Sequence, residues 1–301
     1  MEKIKVNMHI DDDQNIVKQM YREYLQCNEA IAELKKLGIP DDKIEDNITK
    51  IYDYVSDLNY CKKCPGLKKC NKDKPGLVTK IVYKWGVVDR LLSPCSKLNK
   101  KILIDHKFIH RDYPEEWLDA TKKDLDEDKR QGSKPYISTY LDYLKKGINN
   151  WIYIKGGPRT GKTYLAAFIC TNAVTDHDKG PVIFADCKTR IRELNDLSFT
   201  SKNEFAKELD MYINVPILVL DDFGNEMIND HTRDSIILPI LNARSSKKLF
   251  TIITSQFSYD EISKLYTTNK NDASKIRADQ IVRILKGSIK GITDLGEISR
   301  Y

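Results

Sequence analysis

Residues 156–163 read Gly-Gly-Pro-Arg-Thr-Gly-Lys-Thr: Gly156, four residues, then Gly161, Lys162 and Thr163. Each residue type has a task at this spacing. The glycines, Gly157 included, let the backbone curl until successive N–H groups face phosphate oxygens. Pro158, Arg159 and Thr160 complete the loop. Lys162 brings positive charge to the β- and γ-phosphates, and Thr163 offers a hydroxyl to Mg2+. A helix starting at Lys162 turns its positive end toward the same anion. The expected ligand is a nucleoside triphosphate, ATP, with Mg2+.

A second element fits beside this loop. Val215–Leu220 is an apolar run ending in Asp221 and Asp222. A carboxylate at the end of a buried strand next to a phosphate loop holds Mg2+ directly or through water, and Asp221 takes that role. Asp222 is placed to orient or activate the attacking water. It is one methylene shorter than the glutamate more often used, so water must sit closer or hydrolysis is slow. Phe250–Thr254 leads into Ser255 and Gln256, a polar end within reach of the γ-phosphate region. An arginine at such a site stabilises transition-state charge. Arg277 and Arg283, in a late helical stretch at 274–286, are the candidates. Arg233 and Arg244 flank an earlier helical stretch and read as a solvated helix face or surface ion pairs.

The cysteines form a different constellation. Cys61 and Cys64 make a C-x2-C knuckle, Cys70 follows after five residues, and Cys95 after twenty-four more. Thiolates three residues apart can grip one ion, and zinc takes four ligands. The expected set is Cys61, Cys64, Cys70 and Cys95, with His106 and His110 as alternatives for the fourth place. Lys62, Lys63, Lys68 and Lys69 offset the charge of a tetrathiolate. Cys27, Cys170 and Cys187 fit ordinary thiols.

These groups must be carried by two kinds of structure. A chain of 301 residues suggests two domains. Residues 13–36 read as helical, and Gly38, Ile39 and Pro40 break the pattern. Ile44, Ile48, Ile51, Val55 and Leu58 fall on one face of a second helix, with Asp41 and Asp42 at its start. A β-like piece, Leu77 to Val82, lies among the cysteines. Residues 97–136, roughly, are highly charged, and their middle reads as a solvated linker or linker helix. From 137 a helical stretch, Ile137–Lys146, precedes strands at Trp151–Ile154, Pro181–Ala185, Val215–Leu220 and Phe250–Thr254, with helical stretches between. This alternation predicts an α/β domain with a mostly parallel sheet. The expected division is 1–97, a helical zinc-binding domain; 98–136, a linker; and 137–301, the ATP-binding domain.

Composition narrows the class. The charged fraction is 31% and the hydrophobic fraction 41%, with a formal charge of +6. That permits a nucleic-acid partner without demanding one. Apolar runs fall far short of the about 18 residues that span a bilayer, and the N-terminus lacks a signal-peptide core. A soluble cytoplasmic protein with no membrane partner is expected, and in that reducing compartment clustered cysteines more often hold metal than form disulfides.

Taken together, C-x2-C-x5-C with Pro94-Cys95, GGPRTGKT, VPILVLDDFG, the Arg233-Asp234 pair, IITSQF and Arg283 resemble the bacterial primosomal helicase loaders of the DnaI type, in the DnaC/DnaI group of AAA+ ATPases. The resemblance covers nearly the whole chain. It implies an AAA+ ATPase domain preceded by a small zinc-binding domain that binds the replicative, DnaB-type hexameric helicase. It further implies DNA replication as the setting, binding of ATP and single-stranded DNA, self-assembly on the helicase, and a sensor-2 role for Arg283. The chain departs from the group in three places. Gln256 stands where asparagine is usual. Asp279 replaces an arginine, for which Arg277 is the substitute as a finger. The region after Ile262 is short. Lys188, Arg190 and Arg192 are the candidate DNA contacts. Two other readings share part of these features: a transposition-helper ATPase of the IstB kind, which does not need the cysteines, and a zinc-domain adaptor that binds nucleotide without hydrolysing it.

Overall fold

The computed structural model describes residues 10–119, 140, 151–269 and 271–297. The helical stretch expected at 137–146 therefore lies outside the described residues except for Tyr140. The chain divides into two compact units, Met1–Lys101 and Ile102–Tyr301.

In the first unit, α1 (Ile10–Leu25) and α2 (Asn28–Lys36) replace the single helical stretch read over 13–36. The apolar stripe from Ile44 is likewise shared by two helices, α3 (Asp41–Asp46) and α4 (Ile48–Cys61), parted at Asn47. Asn47 turns out of helical geometry at φ −115°, and its amide donates to Lys43 O at 3.0 Å, the local competition that makes asparagine a poor helix-interior residue. The stripe still does its work. Ile44, Ile48, Ile51 and Val55 are buried with Ala30, Leu34, Ile81 and Val88. Ile81 and Val88 belong to an antiparallel hairpin, β1 (Leu77–Lys84) and β2 (Val87–Pro94). Its two-residue turn, Trp85 and Gly86, has φ of 52° and 76°, the positive pair that suits strand twist. The second strand is mostly exposed, with Val88 its one buried residue, so no apolar alternation announced it. The helix α5 (Ser96–Lys107) follows.

The second unit is a six-stranded parallel sheet in the order β3-β5-β6-β7-β4-β8. Its strands are β3 (Phe108–Arg111), β4 (Trp151–Lys155), β5 (Val182–Asp186), β6 (Ile217–Asp221), β7 (Phe250–Ser255) and β8 (Ile289–Asp294). The four inner strands are buried on both faces. Ile152, Ile154, Val182, Phe184, Val219 and Ile252 face one core, which includes α6 (Lys162–Thr175). Tyr153, Ile183, Ala185, Leu218, Leu220 and Ile253 face the other. That second core takes α7 (Cys187–Thr200), α8 (Lys202–Asn214), α9 (Leu238–Lys247), α10 (Tyr259–Tyr266) and α11 (Asp272–Ser288). Two-sided burial is why these strands read as unbroken apolar runs.

Two expectations are corrected here. The span 98–136 is not wholly a linker: it supplies α5 and β3, whose Phe108, His110 and Arg111 pair with Val182, Ile183 and Phe184. A four-residue edge strand, Phe-Ile-His-Arg, is too short and too polar to carry a strand pattern. Nor are Arg233 and Arg244 surface residues; they are 3% and 0% exposed. Arg244 donates to Thr251 Oγ1 and to the carbonyls of Tyr212, Ile213, Val215 and Phe250 at 2.7–3.3 Å. Those carbonyls close α8 and border β6 and β7, where backbone acceptors lack ladder partners. A five-donor guanidinium satisfies them at once.

Candidate nucleotide site and cysteine module

The strand β4 delivers the loop. Gly156 N–H donates to Ser255 O on β7 at 3.2 Å, and Gly157 N–H donates to Gly296 O, just past β8, at 2.9 Å. The loop is thus moored to both neighbouring strands. Gly161 sits at φ 90° and starts α6. A Cβ on Gly156 would lie 2.6 Å from Thr160 Oγ1, and one on Gly157 would meet the Glu297 carboxylate. Thr160 Oγ1 and Lys162 Nζ both donate to Gly157 O, at 3.0 and 2.8 Å. Lys162 is buried, which pushes its pKa down, while Asp222, Asp221 and Glu297 oppose that shift. Pro158 and Arg159 are exposed.

Thr163 and Asp221 are brought together from α6 and the end of β6. Asp221 is 5% exposed, accepts from Thr254 Oγ1 at 2.6 Å, and also accepts a side-chain hydrogen bond from Thr163. Burial pushes its pKa up to about 6, against the pull of the two threonine hydroxyls. A carboxylate and a hydroxyl, both hard oxygen donors, suit Mg2+. Asp222 follows at φ 58°, an uncommon conformation for a non-glycine residue. Its N–H donates to Thr254 Oγ1 at 2.9 Å, so one hydroxyl fixes both aspartates. Gln256 donates to Asn225 Oδ1 at 3.0 Å, across to the turn that carries Asp222. Arg277 and Arg283 are exposed on α11. Arg283 Nε donates to Asp279 O at 3.4 Å, and neither arginine has an ion pair among the described residues.

Three contributors were not read from the sequence. Thr254 is hidden inside the apolar strand Phe-Thr-Ile-Ile-Thr. Glu297 reaches the loop only because β8 pairs with β4. Trp117 lies more than thirty residues before the loop, yet with Tyr164 it walls a cavity of about 370 Å3 lined also by Arg159, Gly161, Lys162 and Thr163. Its ring meets Tyr164 edge-on at 5.4 Å and stacks on Tyr113 at 6.4 Å.

Of the expected DNA contacts, Lys188 and Arg192 are exposed on α7. Arg190 is taken up instead by a fork onto Asp112, at 2.6 and 2.7 Å, and by Glu193 at 2.9 Å.

The four cysteines sit at element ends. Cys61 closes α4, Cys64 is in the turn beyond it, Cys70 follows a short 3-10 turn (Leu67–Lys69), and Cys95 follows β2. Gly76 links two of them. Its carbonyl accepts from Cys95 N–H at 2.7 Å, and its backbone also hydrogen-bonds the Cys70 thiol. Cys64 and Cys95 lie close enough to Cys61 to raise its pKa, after burial, the larger cause. Among the described residues no group of three or more potential ligands forms a ready-made metal site. His110 Nε2 is engaged with Glu208 at 2.7 Å.

Residues 130–282 match the family described as IstB-like ATP binding protein. The chain belongs to that family. The matched segment holds the phosphate loop, both aspartates, Gln256 and Arg277, stops one residue before Arg283, and starts after the four-cysteine cluster. The chain is also 26% identical over 288 residues to the replicative helicase loader DnaI of Bacillus subtilis (strain 168), across 91% of this chain and 90% of that one. This matches the resemblance drawn from the motifs. Two solved structures share the fold. A DnaI crystal structure aligns with a TM-score of 0.51 and 24% identity, covering 66% of this chain and 99% of its own. A proposed primosome component from Streptococcus pyogenes serotype M3 aligns with a TM-score of 0.50 and 19% identity, covering 67% and 100%. No helix among the described residues is long and apolar enough to cross a membrane.

Proposed function

We propose that the protein is an ATP-dependent loader that places a DnaB-type replicative helicase on single-stranded DNA in the cytoplasm, as part of a primosome. The observation that carries this reading is the likeness to a replicative helicase loader over 91% of the chain and 90% of that relative. The loop geometry supports the nucleotide part. Backbone N–H groups of 159–163, the part of the loop beyond the two moored glycines, and Lys162 hold the phosphates of ATP. Thr163 and Asp221 hold Mg2+, which neutralises charge on the β- and γ-phosphates. Asp222 orients the attacking water, Gln256 senses the γ-phosphate region, and Arg283 stabilises developing charge. Arg277 is the finger offered to a neighbouring copy when the protein assembles on the helicase ring. Lys188 and Arg192 serve single-stranded DNA.

The N-terminal module, 1–97, is the part that grips the helicase, and the second unit, which includes β3, is the ATPase. Zinc held by Cys61, Cys64, Cys70 and Cys95 braces the module. Four cysteines, three of them within ten residues and two of them bonded to Gly76, are the donor set that suits zinc, and the ion would pin the end of α4 to the hairpin.

The test is size-exclusion chromatography of the protein mixed with its cognate replicative helicase, with and without ATP. A complex whose amount depends on ATP is expected. Failure to co-elute in either condition would overturn the loader reading.

A further inference from the structure

Besides Arg244, two charged side chains among the described residues are buried outside the contacts assigned to nucleotide: Glu226, 5% exposed, and Arg233, 3% exposed. Glu226 ends the turn that begins at Asp222. Its Oε2 accepts Gly224 N–H at 2.8 Å and its Oε1 accepts the Tyr266 hydroxyl. Tyr266, the last residue of α10, is fully buried, and its ring stacks on Phe223 at 5.5 Å. The Tyr266 carbonyl accepts from Arg233 Nη1 at 3.1 Å. The same Nη1 donates to Thr268 Oγ1 and Ser274 Oγ, each at 2.9 Å. Ser274 stands in the first turn of α11, where its N–H is capped by Asn271 at 2.8 Å. Asp234 and Asp230 hold the rest of the guanidinium.

These contacts form one unbroken path. It starts at the turn presenting Asp222, passes through Glu226, Tyr266 and Arg233, and ends on the helix bearing Arg277 and Arg283. Tyr266 is its pivot: the hydroxyl serves the carboxylate and the carbonyl serves the guanidinium. Buried charges are costly, and apolar residues of similar volume often hold a fold at least as well. A fully satisfied polar network instead fixes one geometry. The turn has little other freedom: a Cβ on Gly224 would fall 2.7 Å from the Phe257 ring.

We propose that Glu226, Tyr266 and Arg233 are positioning residues that couple the acidic turn after β6 to α11, so that nucleotide sensed at Asp222 changes the placement of Arg277 and Arg283. None of the three is among the residues assigned above to nucleotide. The inference deepens the ATPase reading and rests on it.

Tyr266→Phe tests it, because only the hydroxyl is lost. Turnover is measured with helicase and single-stranded DNA present, and hydrogen exchange of 272–288 is measured with and without a non-hydrolysable ATP analogue. The expected result is a kcat lower by about fivefold to tenfold with KM nearly unchanged, as for an interaction needed in the transition state. The ATP-dependent protection of α11 expected in the wild type should also be lost. Ser274→Ala, which removes one acceptor of Arg233, should act in the same direction more weakly, and it keeps the test open if Tyr266→Phe does not fold. Wild-type kcat together with wild-type protection in the variant would overturn the coupling. Absence of turnover in the wild type would count against the ATPase reading instead, and the exchange comparison would still judge the relay.

Discussion

The phosphate loop and the cysteine module are the two candidate ligand sites, and they are built in opposite ways. The loop's key polar atoms are already paired: Thr160 and Lys162 on Gly157 O, Thr163 and Thr254 on Asp221. It hangs between strands packed on both faces. The cysteines sit at the ends of a helix, a turn and a strand, half-buried or, for Cys64, exposed. The difference teaches what holds each shape. Backbone hydrogen bonds and core packing preform the loop, so only Lys162 and Thr163 have to exchange partners when phosphate and Mg2+ arrive. Thiolates brought together repel one another, so an ion bound there would itself have to gather them, and its binding would become part of folding.

The largest effect that sharpens this contrast is loss of the metal. Structural zinc contributes about 10 kcal/mol or more in small modules. Cys64→Ser should therefore lose the about one zinc per chain implied by four ligands and lose amide protection across β1 and β2. ATP affinity, measured by calorimetry, should stay put. Equal zinc content in both proteins would break the comparison on the cysteine side. Next, Lys162→Ala should weaken ATP binding by about 100-fold, the loss of a buried charge-assisted contact, with zinc content unchanged. Unaltered affinity would refute the loop assignment.

Arg244→Met probes the packing that preforms the loop. It strands the carbonyls of Tyr212, Val215 and Phe250 and should destabilise the second unit by about 3 kcal/mol, seen as a lower denaturant midpoint there alone. A midpoint equal to wild type would show that the guanidinium is dispensable. The smallest effect is at Trp117. If the cavity beside the loop receives the base, Trp117→Ala should weaken ATP binding by about 1 kcal/mol, the worth of an aromatic contact, and leave binding of inorganic triphosphate unchanged. Equal weakening of both ligands would remove Trp117 from base recognition.

The same contrast explains what could be read in the sequence. GGPRTGKT and the aspartate pair were legible because phosphate and Mg2+ chemistry dictates residue types at fixed spacing. The inner strands were legible because two-sided burial forces unbroken apolar runs. The edge strands β3 and β8 and the exposed strand β2 escaped, since half-solvated backbone needs no such pattern. Arg233 and Arg244 were misread because charge alone argues for the surface; only the fold reveals the carbonyls that draw them inward. Thr254 and Trp117 join the site through strand pairing and through a segment far off in sequence, which no local window reports. The cysteine spacing names a ligand set without showing how it is gathered.

The most direct measurement of the central claim is transfer of the cognate hexameric helicase onto closed circular single-stranded DNA, read as helicase retained on the circle after free protein is removed. Retention is expected with wild-type protein and ATP, and background retention with Lys162→Ala. Equal retention with both proteins, or none with the wild type, would contradict that claim.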